Sequence, residues 1–457
     1  MLVLGVNGGL SLEERNPGAA LAIDGRIVAA CEEERYSRIL SAPGHFPLRS
    51  IRACLEVARV TFEDIALIVL PILDGDGQIT AIRELFTAQF GSCPAIELVG
   101  KQVALAACAF YSSGLSESLV VSVARTTTGS FALLANATKE FGIRTIGSVP
   151  FPLAAHEYAP RPGRIPGVEG ALWEALEGLR RVVPGARHLC IGGDLAFDGV
   201  SSFAIHRSNV FEAFFVSPLA GDRGLAIGSA YLGAAMLGHG KWQLWDTYLG
   251  SWYSDAEIRG ALERSSGGLE VVDDPCLVAA RMLASGMTVG WYQGRAEAGG
   301  RALGNRSILA RPEGSRAPDR LAEPGDGSAS GKIPARLAVL KEHAGDWVDV
   351  SREPSSPFMT LALPIRSENL AEFDPSAAEG AMWLHTVSST GNELFYDLLY
   401  RYWRMTGLSG VVSGDLALEG RPLAETPEDA LGVFRASGLD ALLIGNCLVT
   451  KGGHGGA

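Results

Sequence analysis

The run KQVALAACAFYSSG, Lys101 to Gly114, has the frame of a metal-binding helix without its ligands. Val103, Ala106, Ala107 and Phe110 recur at helical spacing, which predicts a helix over 101–112 with a buried face. Positions four apart lie one turn above each other, so Lys101 and Leu105 occupy the places of a ligand pair. An ammonium and an isobutyl group have no lone pair to offer a metal. A second candidate is PLAGDRGLAIGSAYLGAAMLG, a glycine-containing turn feeding a helix rich in small residues. Such a turn lets the backbone approach an anion and aim N–H groups at it, although glycine serves plain turn geometry equally well. Asp222, within AGDRG, reads as a turn residue or helix cap. His45 and His385 have no acidic or thiol partner nearby in sequence and read as structural, and no Ser-His-Asp or Cys-His arrangement emerges. Cys108 falls on the apolar face of the 101–112 helix and reads as core.

Alternating apolar runs and turn residues must position these groups. MLVLGV reads as a buried strand, and GAALAIDGRIVAAC as two strands around an Asp-Gly turn. The charged segment CEEERYSR that follows is expected to be a surface turn, or to line a subunit contact. HFPLRSIRACLEVARV has helical periodicity and DIALIVLPIL is a continuous apolar strand. After the 101–112 helix the pattern recurs as SLVVSVA, the polar turn RTTTG and SFALLANA, which points to a duplicated α/β domain. RHLCIGGD is a further strand ending in glycines. Beyond about residue 250, Ser254 and Glu257 form a capping box, and DPCLVAARMLASG is a helix closed by glycine before the strand TVGWYQG. RPEGSRAPDRLAEPGDGSASGKIP has the composition of a mobile loop, and KGGHGGA that of a frayed end.

The 457 residues exceed one ordinary core and imply two or three domains. With 47% hydrophobic and 20% charged residues the chain is globular. A formal charge of −12 disfavours nucleic acid and anionic membrane surfaces as partners and favours a soluble protein. No apolar run approaches the ~18 residues of a membrane span, and MLVLGVNGG lacks the basic leader and cleavage site of a signal peptide. Seven cysteines, none paired at metal-finger spacing, point to reduced, mostly buried thiols and a cytoplasmic location.

GWYQGRAEAGGRALGNRSILARP closely resembles the signature of the ATP-dependent O-carbamoyltransferases of antibiotic and nodulation-factor biosynthesis. DGRIVAACEEERYSRI, HFPLRSIRACLE, AACAFYSSG, AGDRGLAIGSA and TPEDALGVFRASGLDALLIGNCLV match the family in the same order along nearly the whole chain. The resemblance implies an α/β protein. Residues 1–250 would form a shortened, duplicated domain of the actin, Hsp70 and acetate-kinase (ASKHA) type, and 255–457 a YrdC-like domain. It also implies ATP and carbamoyl phosphate as substrates and a divalent metal such as iron or magnesium. The second domain would make carbamoyl-adenylate and the first would pass the carbamoyl group to an acceptor hydroxyl. That chemistry needs donors that hold phosphates and a metal or cations that stabilise developing charge.

Matched position by position, the chain departs from the family at these parts. Lys101 and Leu105 replace a histidine pair, and Ala124 an aspartate at a strand end. Arg15 and Asn16 replace a histidine-aspartate step, and Leu40 a lysine. Most of a long insert before IGGD, including an Asp-Glu-Gly-Lys segment, is missing. Asp222 is the only remaining candidate metal ligand, and one carboxylate is too few for a site that needs three or four donors. Near Trp383 an arginine is lost, and the asparagine-rich anion loop has become SGDLALEG, where Asp415 and Glu419 would repel a triphosphate. Lys332 and Arg336 remain of a basic-aromatic loop. Arg295, Arg301, Asn305 and Arg306 are the phosphate-reading cluster left, and a scaffold role for them, with arginines on carbonyls and carboxylates, stays open beside anion binding.

The expectation is therefore a non-catalytic family member that binds no cofactor and joins an active carbamoyltransferase paralogue, or itself, in a specialised-metabolite pathway. Two alternatives are a working carbamoyltransferase that uses the surviving arginines, and a binding module that senses a nucleotide or metabolite. A phosphotransferase of the same superfamily lacks the acid expected at the first turn.

Overall fold

The computed structural model describes the chain apart from residues 10–13, 72–77, 127–128, 141, 153–167, 241–242, 265–268, 313–335, 349–354, 367–380 and 452–457. Residues 313–334 of the 311–334 loop and residues 452–457 of the glycine-rich end, both stretches expected to be mobile, lie outside the described residues. So does Lys332.

β1 (Leu2–Asn7) pairs antiparallel with β2 (Gly18–Ile23), which returns through Asp24 and Gly25 into β3 (Arg26–Glu32). Both turn residues have positive φ, a region open to glycine and tolerated by aspartate. β4 (Ile65–Pro71) and β5 (Ala95–Val99) extend the sheet in parallel on the other side of β1, giving the order β3-β2-β1-β4-β5. A second sheet repeats the plan. β6 (Glu117–Thr126), β7 (Gly129–Thr138) and β8 (Gly142–Pro150) run antiparallel. β9 (His188–Gly193) and β10 (Ala213–Val216) then add in parallel beside β6. Its order, β8-β7-β6-β9-β10, is that of the first sheet. The duplication expected from the recurring strand, turn and hairpin is present, in the mixed α/β arrangement that the actin-type resemblance implies.

Two helices fill the space between these sheets. Lys101–Ser113 lies on β6 and β9, Leu225–Met236 lies on β1, β2 and β4, and the helices pack on each other. The sequence pattern predicts one buried face for the first helix, yet every residue from Ala104 to Ser112 is buried while Val103 is half-buried. Cover on both sides is the reason, and alanines supply the small, apolar surface it requires. The approach is closest at Gly228, where an added Cβ would lie 1.8 Å from the Ala104 carbonyl oxygen. The outer face of the first sheet is covered by Leu48–Ala58 and Gln78–Phe90 through Ile51, Cys54 and Phe86. Val168–Val182 covers the second sheet through Leu172 and Leu176.

The charged CEEERYSR segment is not a surface turn. Glu32, Glu33, Glu34 and Arg35 are all buried. Glu32 faces Arg35 at 3.0 Å and accepts the Gly299 N–H, Glu33 accepts from Ser50 N and Oγ, and Glu34 faces Arg223 at 3.0 Å. Acids and guanidiniums that satisfy one another can be buried where each alone could not.

The described residues up to Ser251, together with Ala298–Gly300, form one unit, and Trp252–Glu297 with the residues from Arg301 onward form another. The second unit is built on one mixed sheet in the order β11-β19-β18-β12-β13-β17-β14-β16-β15. Its strands are β11 (Glu270–Val271), β12 (Val289–Tyr292), β13 (Arg306–Ala310), β14 (Arg336–Leu340), β15 (Leu361–Pro364), β16 (Ala381–Val387), β17 (Gly410–Asp415), β18 (Ala441–Ile444) and β19 (Cys447–Thr450). Pro275–Ala284 and Glu393–Thr406 cover one face, Asp255–Glu263 and Pro427–Ala436 the other. Side-chain alternation along β12 sends Trp291 into the first core and Tyr292 into the second. The capping box expected at Ser254 and Glu257 is present in both directions, and Asp274 caps the next helix through Leu277 N. All seven cysteines are free thiols, six of them buried.

Candidate functional site

In the first unit the candidate residues meet at the carboxyl ends of parallel strands, where open α/β sheets commonly hold their ligands. β6 and β9 are parallel neighbours with Val123 opposite Gly193, so Arg125 and Asp194 emerge side by side. Their Nε and Oδ2 atoms are 3.5 Å apart. Asp222 follows Gly221, whose φ of +62° is left-handed and whose absent Cβ would lie 3.0 Å from an Asp194 carboxylate oxygen. Glycine therefore lets the AGDRG turn close onto Asp194. Lys101, the first residue of the central helix, sets its Nζ 2.9 Å from Asp222 Oδ1. Asn7 at the end of β1 holds the turn by donating to the carbonyls of Asn16 and Asp222. Burial, and then the charge of Asp222, push the Asp194 carboxyl up to about 6 against the opposing pull of Arg125 and Lys101.

The residues present do not fit iron or magnesium of the kind the resemblance implies. Leu105 is fully buried and Ala124 apolar, so neither supplies a donor, and the nearest lone pairs are already engaged by an ammonium and a guanidinium. Cys108, read as core, is buried with its thiol pushed up to about 12 by that burial, and its Sγ lies 3.6 Å from Ser217 Oγ. Among the described residues the one group of three close donors lies in the other unit, at Asp274, Cys276 and Asp397. There too a cation of the chain is seated. Arg401 reaches Asp274 at 3.0 Å and Asp397 at 2.8 Å, and burial with the two neighbouring acids pushes the Cys276 thiol up to about 12.

In the second unit the stretch RALGNRS, Arg301 to Ser307, is organised by Glu297, a buried residue not among the candidates read from the sequence. One of its oxygens, Oε1, accepts three backbone N–H groups, from Leu303 and Asn305 at 2.7 Å and from Arg306 at 3.1 Å. Arg306 is wholly buried. Its guanidinium lies over the Tyr292 ring and donates to the carbonyls of Gln293, Asn305 and Gly294. Asn305 donates to the Arg295 carbonyl and accepts from Asn392, the residue that caps the helix Glu393–Thr406. Arg301 stacks on Trp383 with 3.8 Å from its guanidinium carbon to the ring centroid, and donates to the Met359 carbonyl. Arg295 is half-buried. The four residues thus share one loop, but Arg301, Asn305 and Arg306 turn to different partners within the unit.

Asp415, at the end of β17, meets Arg336, at the start of β14, at 2.7 Å. The same Asp415 oxygen accepts the Ala302 N–H at 2.7 Å, so a carboxylate closes this part of the loop. Glu419 is exposed, as is His45, while His385 is buried and stacked on Phe395. Arg15 is exposed, Asn16 buried and Leu40 half-buried, and Asn16 donates its N–H to the Ser41 carbonyl. Asp194, Arg125, Glu297 and the Arg336–Asp415 pair were not singled out as groups in the sequence. An acid directly after a glycine-ended strand, as in IGGD, was the available signal for Asp194.

Residues 280–451 match the family model described as Carbamoyltransferase C-terminus. The chain is 26% identical to nodulation protein NolNO of Sinorhizobium fredii, over 99% of its own length and 83% of the relative's. It is 30% identical to nodulation protein NolO of Bradyrhizobium diazoefficiens, over 62% of its own length and 54% of the relative's, so the match spans about half of that protein. Among solved structures, ROK hexokinase from Thermus thermophilus is similar at 15% identity and a TM-score of 0.30, covering 51% of this chain and 99% of that one. Among the described residues no helix is long and apolar enough to cross a membrane.

Proposed function

Because the chain belongs to the carbamoyltransferase family, we propose that it is a non-catalytic member that binds an active carbamoyltransferase paralogue in a specialised-metabolite pathway of the antibiotic type. The observation that carries this reading is the 2.9 Å contact between Lys101 and Asp222. An ammonium holds a carboxylate where carbamoyl transfer calls for a Lewis acid with open coordination positions, and an ammonium offers none. The second unit supports the same reading. Arg336 is engaged by Asp415, Arg306 by backbone carbonyls and Arg301 by Trp383 and the Met359 carbonyl, so these guanidiniums already have partners within the unit. A subunit without chemistry of its own can still orient its partner or complete the partner's acceptor pocket.

The test is co-expression with a carbamoyltransferase paralogue, followed by mass measurement of the complex and turnover with and without this chain. A stable heteromer with altered turnover is expected. Separate species with unchanged turnover, or carbamoylation of an alcohol by this chain alone from ATP and carbamoyl phosphate, refutes the proposal. A rise in melting temperature with ATP or carbamoyl phosphate and no turnover would move the reading to a sensing module.

A further inference from the structure

Cys31 and Cys54, two of the buried thiols, meet from different elements of the first unit. Cys31 lies on β3 opposite Ala19 of β2, and directly paired residues of an antiparallel ladder point their side chains to the same face. That face is the one covered by the helix Leu48–Ala58, because Ala19, Cys31 and Cys54 share one buried core. The Cys54 thiol donates to the Ala19 carbonyl at 3.3 Å, which sets its sulfur beside the residue that Cys31 is paired with. A further hydrogen bond links it to the Cys31 thiol. Burial, and then that bond, hold the Cys54 thiol well above the usual thiol range. Cys31 is 4% exposed and Cys54 0%, so a close-packed core admits only a very small molecule to them while the helix stays on the sheet.

We propose that Cys31 and Cys54 are a peroxide-sensitive dithiol that closes into a disulfide and locks the helix Leu48–Ala58 onto β3. The Cys54 proton is held by the Ala19 carbonyl, so Cys31 is the sulfur that reacts first. It attacks one oxygen of hydrogen peroxide, the O–O bond breaks, water leaves and Cys31 becomes a sulfenic acid. The Cys54 sulfur then attacks the Cys31 sulfur, the S–O bond breaks, and the hydroxyl leaves with the Cys54 proton as a second water. The two thiols give up two electrons, and the peroxide takes them. Contact between the thiols makes the second step intramolecular. A bulky oxidant is excluded, because glutathione disulfide would have to seat a tripeptide on a sulfur that the core encloses. The same helix carries Ser50, whose N–H and hydroxyl hold Glu33, so the cross-link also fixes the segment that buries CEEERYSR. Neither cysteine belongs to the two candidate clefts, and the inference stands independently of the proposed function.

The experiment treats the folded full chain with hydrogen peroxide, alkylates the remaining thiols in denaturant and maps the peptides by mass spectrometry. Wild type is expected to yield a Cys31–Cys54 cross-linked peptide that dithiothreitol removes. The bond closes a loop of about 24 residues, and the oxidised chain is expected to melt about 5 °C higher than the reduced one. Glutathione disulfide is expected to modify the half-buried Cys93 at least about tenfold faster than either member of the pair. In Cys54→Ser, dimedone added with the denaturant should trap a sulfenic acid at Cys31, and Cys31→Ser should show at least about fivefold less at Cys54. The wild-type peptide map needs neither variant to fold. Cys31 and Cys54 that stay alkylatable after Cys93 is oxidised, or a cross-link formed only in denaturant, overturn the inference. An oxidised chain with an unchanged melting temperature refutes the lock.

Discussion

Replacing Asp415 by alanine probes whether the second unit spends its basic groups on itself. The Arg336 and Asp415 side chains are 3% and 9% exposed and meet at 2.7 Å. Asp415 Oδ1 also accepts the Ala302 N–H, so the substitution removes the carboxylate from a buried guanidinium and from a buried donor at once. Breaking a buried ion pair costs about 3–5 kcal/mol, and an unsatisfied buried N–H about 1–3 kcal/mol. The two overlap, since relaxation that admits water to one admits it to the other, and a loss of about 4–6 kcal/mol is expected. Asp415→Asn keeps an acceptor for both donors and loses only the charge, so about half of that loss is expected. Arg336→Met with Asp415→Leu removes both charges, and recovery to within about 2 kcal/mol of wild type is expected. Urea unfolding followed by tryptophan fluorescence reads all of this, because Trp291, Trp347 and Trp383 are buried in this unit. An Asp415→Ala loss below about 1 kcal/mol, or a double variant no better than the sum of the singles, refutes the reasoning.

The buried His385 has its pKa lowered from 6.5 to about 4 by desolvation. The unfolded chain therefore binds more protons between those values, and stability is lost as pH falls from about 6.5 to 4, by about 3 kcal/mol in all. His385→Asn, measured by urea midpoints across that range, should flatten this slope whatever its absolute stability; an unchanged slope would assign the acid sensitivity elsewhere. Gly228→Ala places a methyl carbon 1.8 Å from the Ala104 carbonyl oxygen, so the two central helices must separate, at a cost of about 3 kcal/mol in thermal or denaturant unfolding. A near-neutral result would mean that the helices yield without resistance. Glu297→Ala orphans the N–H groups of Leu303, Asn305 and Arg306 and is expected to cost roughly 3–5 kcal/mol, whereas Glu297→Gln, which keeps an oxygen acceptor, should cost less than half as much. Equal losses for the two would show that charge rather than acceptor geometry organises the loop.

Local signals carry much of the architecture. The Asp24-Gly25 hairpin, the capping box at Ser254, the glycine-closed helix before TVGWYQG and the recurring strand, turn and hairpin could be read along the chain. Each depends on residues a few positions apart, and hydrophobic periodicity is itself a short-range property. The helix at Lys101 was legible as a helix, and Lys101 as the wrong chemistry for a ligand.

What the lysine does instead could not be read there, because its partner lies at Asp222, in a turn that only the closed fold brings near. The same holds for Glu34 with Arg223, and for Arg336 with Asp415. A run such as CEEERYSR follows every rule for a solvated surface until distant guanidiniums and N–H groups are set around it. Periodicity reports which face of an element is apolar, and so which elements exist. The choice of ion-pair partners, and with it whether a charge is buried, exposed or already neutralised, depends on desolvation and distance in three dimensions, quantities set by the tertiary structure alone.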